Sequence, residues 1–134
     1  MCHNDVAPWN LVVGDRWVLI DWDAAAPSTR LWDLAYAAQT FPLHAPSRPA
    51  PETGRRLRAL VDGYDPSEPL RRGLPAAVGA RAQAMYALLR DSHASGREPR
   101  ASMFVSGHGE HWREVARYTT EHEESWASCL GGAS

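Results

Sequence analysis

The sequence predicts an α+β chain that is mostly α, with one β-hairpin near its start followed by about four helices. Two observations carry this. Leu11-Val12-Val13, Gly14-Asp15 and Trp17-Val18-Leu19-Ile20 read as strand, tight turn and strand, since β-branched apolar runs flank a turn-forming pair. After Asp23, apolar residues recur at helical spacing in four stretches, separated by segments rich in Pro, Gly and polar residues. At 134 residues the chain makes one domain with a modest core.

The helices are read in order. Ser28 and Thr29 are candidate N-caps of the first, in which Leu31, Leu34, Ala35, Ala38 and Phe41 face the core. Asp33 lies in its first turn, where the helix dipole favours a carboxylate. Trp22 and Trp32 are read as core aromatics, and Pro42 to Pro51 as a loop without periodicity. A second helix runs from about Glu52 to Tyr64, with Leu57, Leu60, Val61 and Tyr64 inward and Arg55, Arg56 and Arg58 toward solvent. Asp65-Pro66-Ser67-Glu68-Pro69 breaks it. The longest helix spans Pro75 to His93, with an apolar stripe of Leu74, Val78, Ala82, Met85, Leu88 and Leu89. A polar loop over Gly96 to Arg100 follows. The last helix runs from about His108 to Leu130, through Trp112, Val115, Ala116, Thr119 and Trp126. His108 and His111 are read as surface histidines, Glu121, Glu123 and Glu124 as a solvated face, and Gly131 to Ser134 as a frayed end.

The chemistry gathers around the hairpin. His3, Asp5 and Asn10 stand at His-x-Asp-x4-Asn spacing, and Asp21 ends the apolar exit strand. Kinase-type phosphoryl transfer uses such a set: a carboxylate to orient a hydroxyl nucleophile, and oxygen ligands for the cations that neutralise phosphate charge. An Asp with an ordinary pKa of about 3.9 is a poor base for an alcohol, so Asp5 is read as orienting the hydroxyl and accepting its proton late. Asn10 and Asp21 offer oxygen, which suits Mg²⁺. Pro8 stiffens the loop by fixing its own φ and restricting Ala7. The alternative is an ordinary acidic loop whose Asp and Asn side chains only cap turns.

From His3 to about Ala38 the chain resembles the aminoglycoside phosphotransferase family, whose relatives include choline and homoserine kinases. Leu31-Trp32-Asp33-Leu34-Ala35 resembles the family's next helix. The resemblance implies that residues 1–134 form the C-terminal lobe of a kinase-like fold. Its catalytic loop and metal-binding hairpin would lie over 3–23 and its helical region over 28–130. It implies an ATP-dependent phosphotransferase acting on a small-molecule hydroxyl, with ATP and Mg²⁺ as cofactors. Asp5 would be the catalytic carboxylate, His3 the loop histidine (more structural than chemical), and Asp33 the residue that braces the loop. Asn10 and Asp21 would hold Mg²⁺ and, through it, the nucleotide, with Asp23 near the second metal shell. The acceptor stays open among aminoglycoside-like antibiotics, sugars, choline and homoserine.

Composition sets the exclusions. Net charge is −2, and all 14 basic residues are Arg; no basic block exists to contact nucleic-acid phosphates. Cys2 and Cys129 make no disulfide framework. No apolar run approaches the ~20 residues of a transmembrane helix, and no signal peptide precedes the motif. The expectation is a cytoplasmic protein without membrane or nucleic-acid partners. Only Met1 and Cys2 precede the motif, where the resembled family has a nucleotide-binding lobe. The chain is therefore expected to be the C-terminal part of such an enzyme, through truncation, a displaced start or a split gene, nearly inactive alone, and prone to self-association or to pairing with the missing lobe. The rival reading is a non-catalytic helical remnant that acts as a binding or interaction module.

Overall fold

The hairpin is shorter than its apolar runs. In the computed structural model, which describes residues 1–131, β1 (Leu11–Val12) pairs antiparallel with β2 (Val18–Leu19), with Leu11 opposite Leu19 and Val12 opposite Val18. A 3-10 turn, Pro8–Asn10, leads into β1; Pro suits the first position because that N–H has no intrahelical partner. Little of the hairpin is covered, and Val12, Val13, Trp17, Val18 and Ile20 are all exposed.

The helical part is built on one long element. Helix α1 is Arg30–Thr40, α2 is Ala50–Tyr64 and α3 is Glu68–Ala94; a short α4, Arg100–Met103, precedes α5, Gly109–Glu121, and α6, Glu123–Gly131. Thr29 caps α1, its Oγ1 accepting the Trp32 N–H at 3.1 Å. Helices α1, α5 and α6 pack on α3, and α2 packs on α6. One apolar cluster joins α1, α2, α3 and α6 through Leu34, Leu57, Val61, Leu74, Val78 and Trp126. A second, between α1, α3 and α5, holds Tyr36, Ala82, Leu89, Trp112 and Val115. Gln39 is fully buried, and its amide hydrogen-bonds the Val78 carbonyl and Thr119. That satisfies a polar side chain which would otherwise cost free energy to bury.

Several expectations are corrected. The longest helix starts at Glu68, seven residues before Pro75. Pro69 in its first turn costs nothing, and the one backbone bond forfeited at Pro75 is offset by burying Leu74 and Val78. The Pro42–Pro51 stretch is not all loop: it holds a 3-10 turn over Pro42–His44, and α2 begins at Ala50. The last helix is two helices parted at His122, so with α4 the α-helices exceed the expected four. At the break the Thr119 carbonyl takes the Trp126 indole N–H at 2.9 Å. A continuous helix would give it the residue 123 amide; the exchange lets Trp126 sink completely into the core. Gly109 does open a helix, for a steric reason: a Cβ there would lie 2.6 Å from the Phe104 ring. Tyr64 and Leu88, expected inward, are largely exposed.

Trp22 is exposed rather than core, its indole N–H on the Leu19 carbonyl and its ring edge-on to His3. Trp32 is half-buried beneath Arg81. Gly131 ends α6, and the rest of the end expected to fray, residues 132–134, lies outside the described residues. Among the described residues no helix is long and apolar enough to cross a membrane.

Trp126→Ala is expected to destabilise the fold by ~3–5 kcal/mol, as for other fully buried aromatics, whereas Trp17→Ala on the exposed hairpin should change stability by less than ~0.5 kcal/mol. Urea unfolding of the three proteins reads both.

Candidate active site

The loop from His3 to Asn10 is held from three sides. His3 is buried, and its Nε2 lies 3.0 Å from the Ile20 carbonyl while its Nδ1 accepts the Asp5 N–H at 3.2 Å. A carbonyl can only accept and an amide can only donate, so the ring is the neutral Nε2–H tautomer. Asn4 adopts a left-handed φ of 65°, which Asn tolerates better than most residues. Its backbone N–H donates to Asp33 Oδ1 at 2.9 Å, and its side chain donates to the Ala24 carbonyl. Asp33 thus reaches from the first turn of α1 to the residue beside Asp5. Asn10 completes the loop. Its Nδ2 donates both to the Asp5 carbonyl (2.9 Å) and to the Asp5 carboxylate (3.0 Å), which leaves its Oδ1 for another ligand.

The hairpin brings the second carboxylate back to this loop. The Ile20 N–H bonds the Asn10 carbonyl at 2.8 Å, so the strand arriving at Asp21 runs alongside the last residue of the Pro8–Asn10 turn. Asp21 has a φ of 58°. A left-handed Asp costs of order 1 kcal/mol and turns the chain out of the strand direction at that residue. Its Oδ1 accepts the Asp23 N–H weakly, at 3.4 Å.

Asp5, Asp21 and Asp23 line one cleft of about 1110 Å³ between the loop and helices α3 to α5. Asn10 does not line it; Asn10 is 4% exposed and meets the site through Asp5. His3 and Asp33 also stand behind the loop and hold it, while Asn10 holds Asp5 through its nitrogen and keeps an oxygen without a hydrogen-bond partner among the described residues. Among the described residues no group of three or more His, Cys, Asp or Glu could cage a metal.

Two residues of the cleft are not singled out by the sequence, and a third has a different setting from the one expected. Tyr36 lies in the cleft beside Asp5; burial first, then the Asp5 charge, push its phenol well above the ordinary range. It stays protonated, able to donate. Arg81, on α3, lies over the Tyr36 ring at 4.6 Å and the Trp32 ring at 5.2 Å. Its neighbours on the apolar stripe, Val78 and Ala82, drew attention to packing; the signal was a cation at the edge of that stripe. His111 is not a free surface histidine. Its Nε2 sits 3.3 Å from His44 Nδ1, and His44 in turn faces Trp9. Met85, on the expected apolar stripe of the long helix, lies at the edge of the second cluster and also lines the cleft.

The model of the phosphotransferase enzyme family matches residues 1–70, which covers the loop, the hairpin, α1 and α2. The chain belongs to the phosphotransferase enzyme family. No curated protein and no solved structure matches it.

Asp33→Ala should leave the Asn4 N–H without its acceptor, at a cost of ~1–3 kcal/mol; amide exchange at Asn4 and Asp5 is expected to speed up while exchange in α3 is unchanged. A second prediction concerns pH. Burial holds His44 and His111 below the ordinary histidine value of 6.5, and the neighbouring His44 and His108 lower His111 further. As pH falls below 6.5 the unfolded chain takes up these protons before the folded one does. Their contribution is therefore full above about 6.5 and lost as pH drops through the folded values. Thermal melts from pH 7.5 to 5 should show a falling Tm, and the His44→Gln/His111→Gln double variant a shallower fall.

Proposed function

We propose that this chain carries the acceptor-orienting and metal-binding part of an ATP-dependent phosphotransferase, built as the C-terminal lobe of a kinase-like fold. It would transfer the γ-phosphoryl group to a hydroxyl of a small molecule. The observation that carries the reading is the Asn10 amide clamped on Asp5, with Asp21 brought to the same cleft by the hairpin. In this reading Asp5 accepts a hydrogen bond from the acceptor hydroxyl and holds it toward the donor phosphate. As the hydroxyl oxygen bonds to phosphorus and the bridging oxygen to ADP departs, Asp5 takes the hydroxyl proton. Tyr36, protonated and adjacent, steadies that carboxylate. His3 and Asp33 keep the loop at its place.

The donor set suits Mg²⁺. Asn10 has spent its nitrogen on Asp5 and keeps oxygen, and Asp21 adds a carboxylate. Two protein oxygens are few, which fits an ion that retains waters and takes phosphate oxygens. When bound, Mg²⁺ would supply neutralisation of the phosphate charge. The compact ammonium that kinase-type enzymes set against the α- and β-phosphates is not among these 134 residues, which include no Lys. Arg, with its planar fork, is a poor replacement. The reading therefore assigns this chain orientation and metal binding, and expects phosphoryl transfer by these residues alone to be slow, since positioning is worth ~7–11 kcal/mol.

Titration with Mg²⁺ and ATP, followed through backbone NMR, tests it. Shifts centred on Asn10 and Asp21 at millimolar metal, abolished by Asp21→Ala, are expected; no shift at several tens of millimolar contradicts the assignment. In radiolabelled-ATP assays, Asp5→Ala should lower whatever transfer occurs by ~10²–10⁴ while sparing nucleotide affinity. Label passing only to water would mark a hydrolase instead.

A further inference from the structure

The walls of the cleft differ in charge. Its three carboxylates, Asp5, Asp21 and Asp23, all come from the loop and hairpin; among the described residues none comes from the helices. The helical wall instead presents Arg81 and the exposed Arg100, with Met85, Leu88 and Met103 between them. Glu121, Glu123 and Glu124 do not line this cleft.

Arg81 is the unusual member. It is half-buried, packed on the faces of Tyr36 and Trp32, and its Nε is buried without an acceptor. Among the described residues it forms no salt bridge, although the other half-buried arginines all do, Arg48 with Glu52 and both Arg58 and Arg71 with Asp62. Asp5 and, after it, Asp33 are the carboxylates that favour its charge, yet neither pairs with it: Asp5 is held by the Asn10 amide and Asp33 by the Asn4 N–H. A guanidinium stays charged even when burial opposes it, and a desolvated cation with no carboxylate in contact is costly. The aromatic faces offset part of that cost; an anion in the cleft would offset the rest.

We propose that the acceptor is an anionic alcohol, with a carboxylate or phosphate received by Arg81, helped by Arg100, and an apolar body against Met85, Leu88 and Met103. The hydroxyl is then presented to Asp5. Asn4 Oδ1, a second buried polar atom without a partner in the same cleft, takes a further donor group when the acceptor has one. On the helical wall a polycation meets two arginines and no carboxylate, so that wall selects against it. This rests on the reading of Asp5 as the residue that orients the acceptor. Its test reads binding alone and needs neither Mg²⁺ nor transfer, so the two can fail separately.

Three probes share one aromatic body and one hydroxyl: 4-(2-hydroxyethyl)benzoate, its primary amide and the corresponding benzylamine. Kanamycin and inorganic phosphate are measured beside them, by calorimetry and by the side-chain Nε–H signal of Arg81. The benzoate is expected to bind at least about tenfold tighter than the benzylamine, as a charge-assisted hydrogen bond allows, and to move the Arg81 signal. Arg81→Gln should erase the preference, Arg81→Lys should keep part of it, and Arg100→Gln, at an exposed position, should weaken it. Tighter binding of the benzylamine or kanamycin, or a preference for the benzoate that leaves the Arg81 signal unmoved, would overturn the proposal. So would phosphate moving the Arg81 signal while the benzoate fails to bind, because Arg81 would then serve the transferred phosphoryl group. The wild-type charge order decides the matter even if Arg81→Gln does not fold.

Discussion

A single side-chain amide ties the site together. Asn10 Nδ2 spans the carbonyl and the carboxylate of Asp5, so the loop between them has one closed shape and Asp5 one orientation. Pro8 preforms the turn that makes the reach possible. The backbone of Asn10 also receives the Ile20 N–H, which places the strand entering Asp21 beside it. Remove that amide and Asp5 loses its tether. The same four residues of spacing that gave the motif its recognisable form are what the turn needs for the bond to close.

Around this, support comes from elements far along the chain. Asp33 on α1 holds the Asn4 N–H, and Thr40 at the other end of α1 donates to the Val6 carbonyl. One helix therefore grips the loop at two points. That helix is in turn fixed to α3 and α5 by Gln39 and by the stacking of Tyr36 with Trp112. Packing of the helical core and placement of the loop are thus coupled: the helices hold the geometry and the loop holds the chemistry. Low-dielectric surroundings at Tyr36 and Arg81 make the charges near Asp5 act more strongly than they would in water.

Much of this was legible in the sequence, and the misses have physical causes. The hairpin, the Thr29 cap and the Asp65 break all follow from local rules, and local rules see neighbours within a few residues. The start of α3 was misplaced because Pro75 reads as a boundary when considered alone, whereas burial of Leu74 on its N-terminal side decides the matter. The break at His122 depends on Trp126 finding the Thr119 carbonyl, a contact that periodicity does not encode. Trp22 was read as core because large aromatics usually are, yet little packs above the hairpin in this chain. Arg81 and the His44–His111 pair are tertiary: the first acts 76 residues from Asp5 in sequence, and the second joins a 3-10 turn to α5.

The proposed function requires the clamp on Asp5 and the turn at Asp21 to build one site for a metal-bound donor phosphate facing an oriented hydroxyl. A crystal structure of the chain with Mg²⁺ and a non-hydrolysable ATP analogue tests it most directly. The account predicts the ion between Asn10 Oδ1 and the Asp21 carboxylate, the terminal phosphate toward Asp5, and the Asn10–Asp5 bond intact. An ion held by Asp21 and Asp23 alone, or a nucleotide seated away from Asp5, would contradict it.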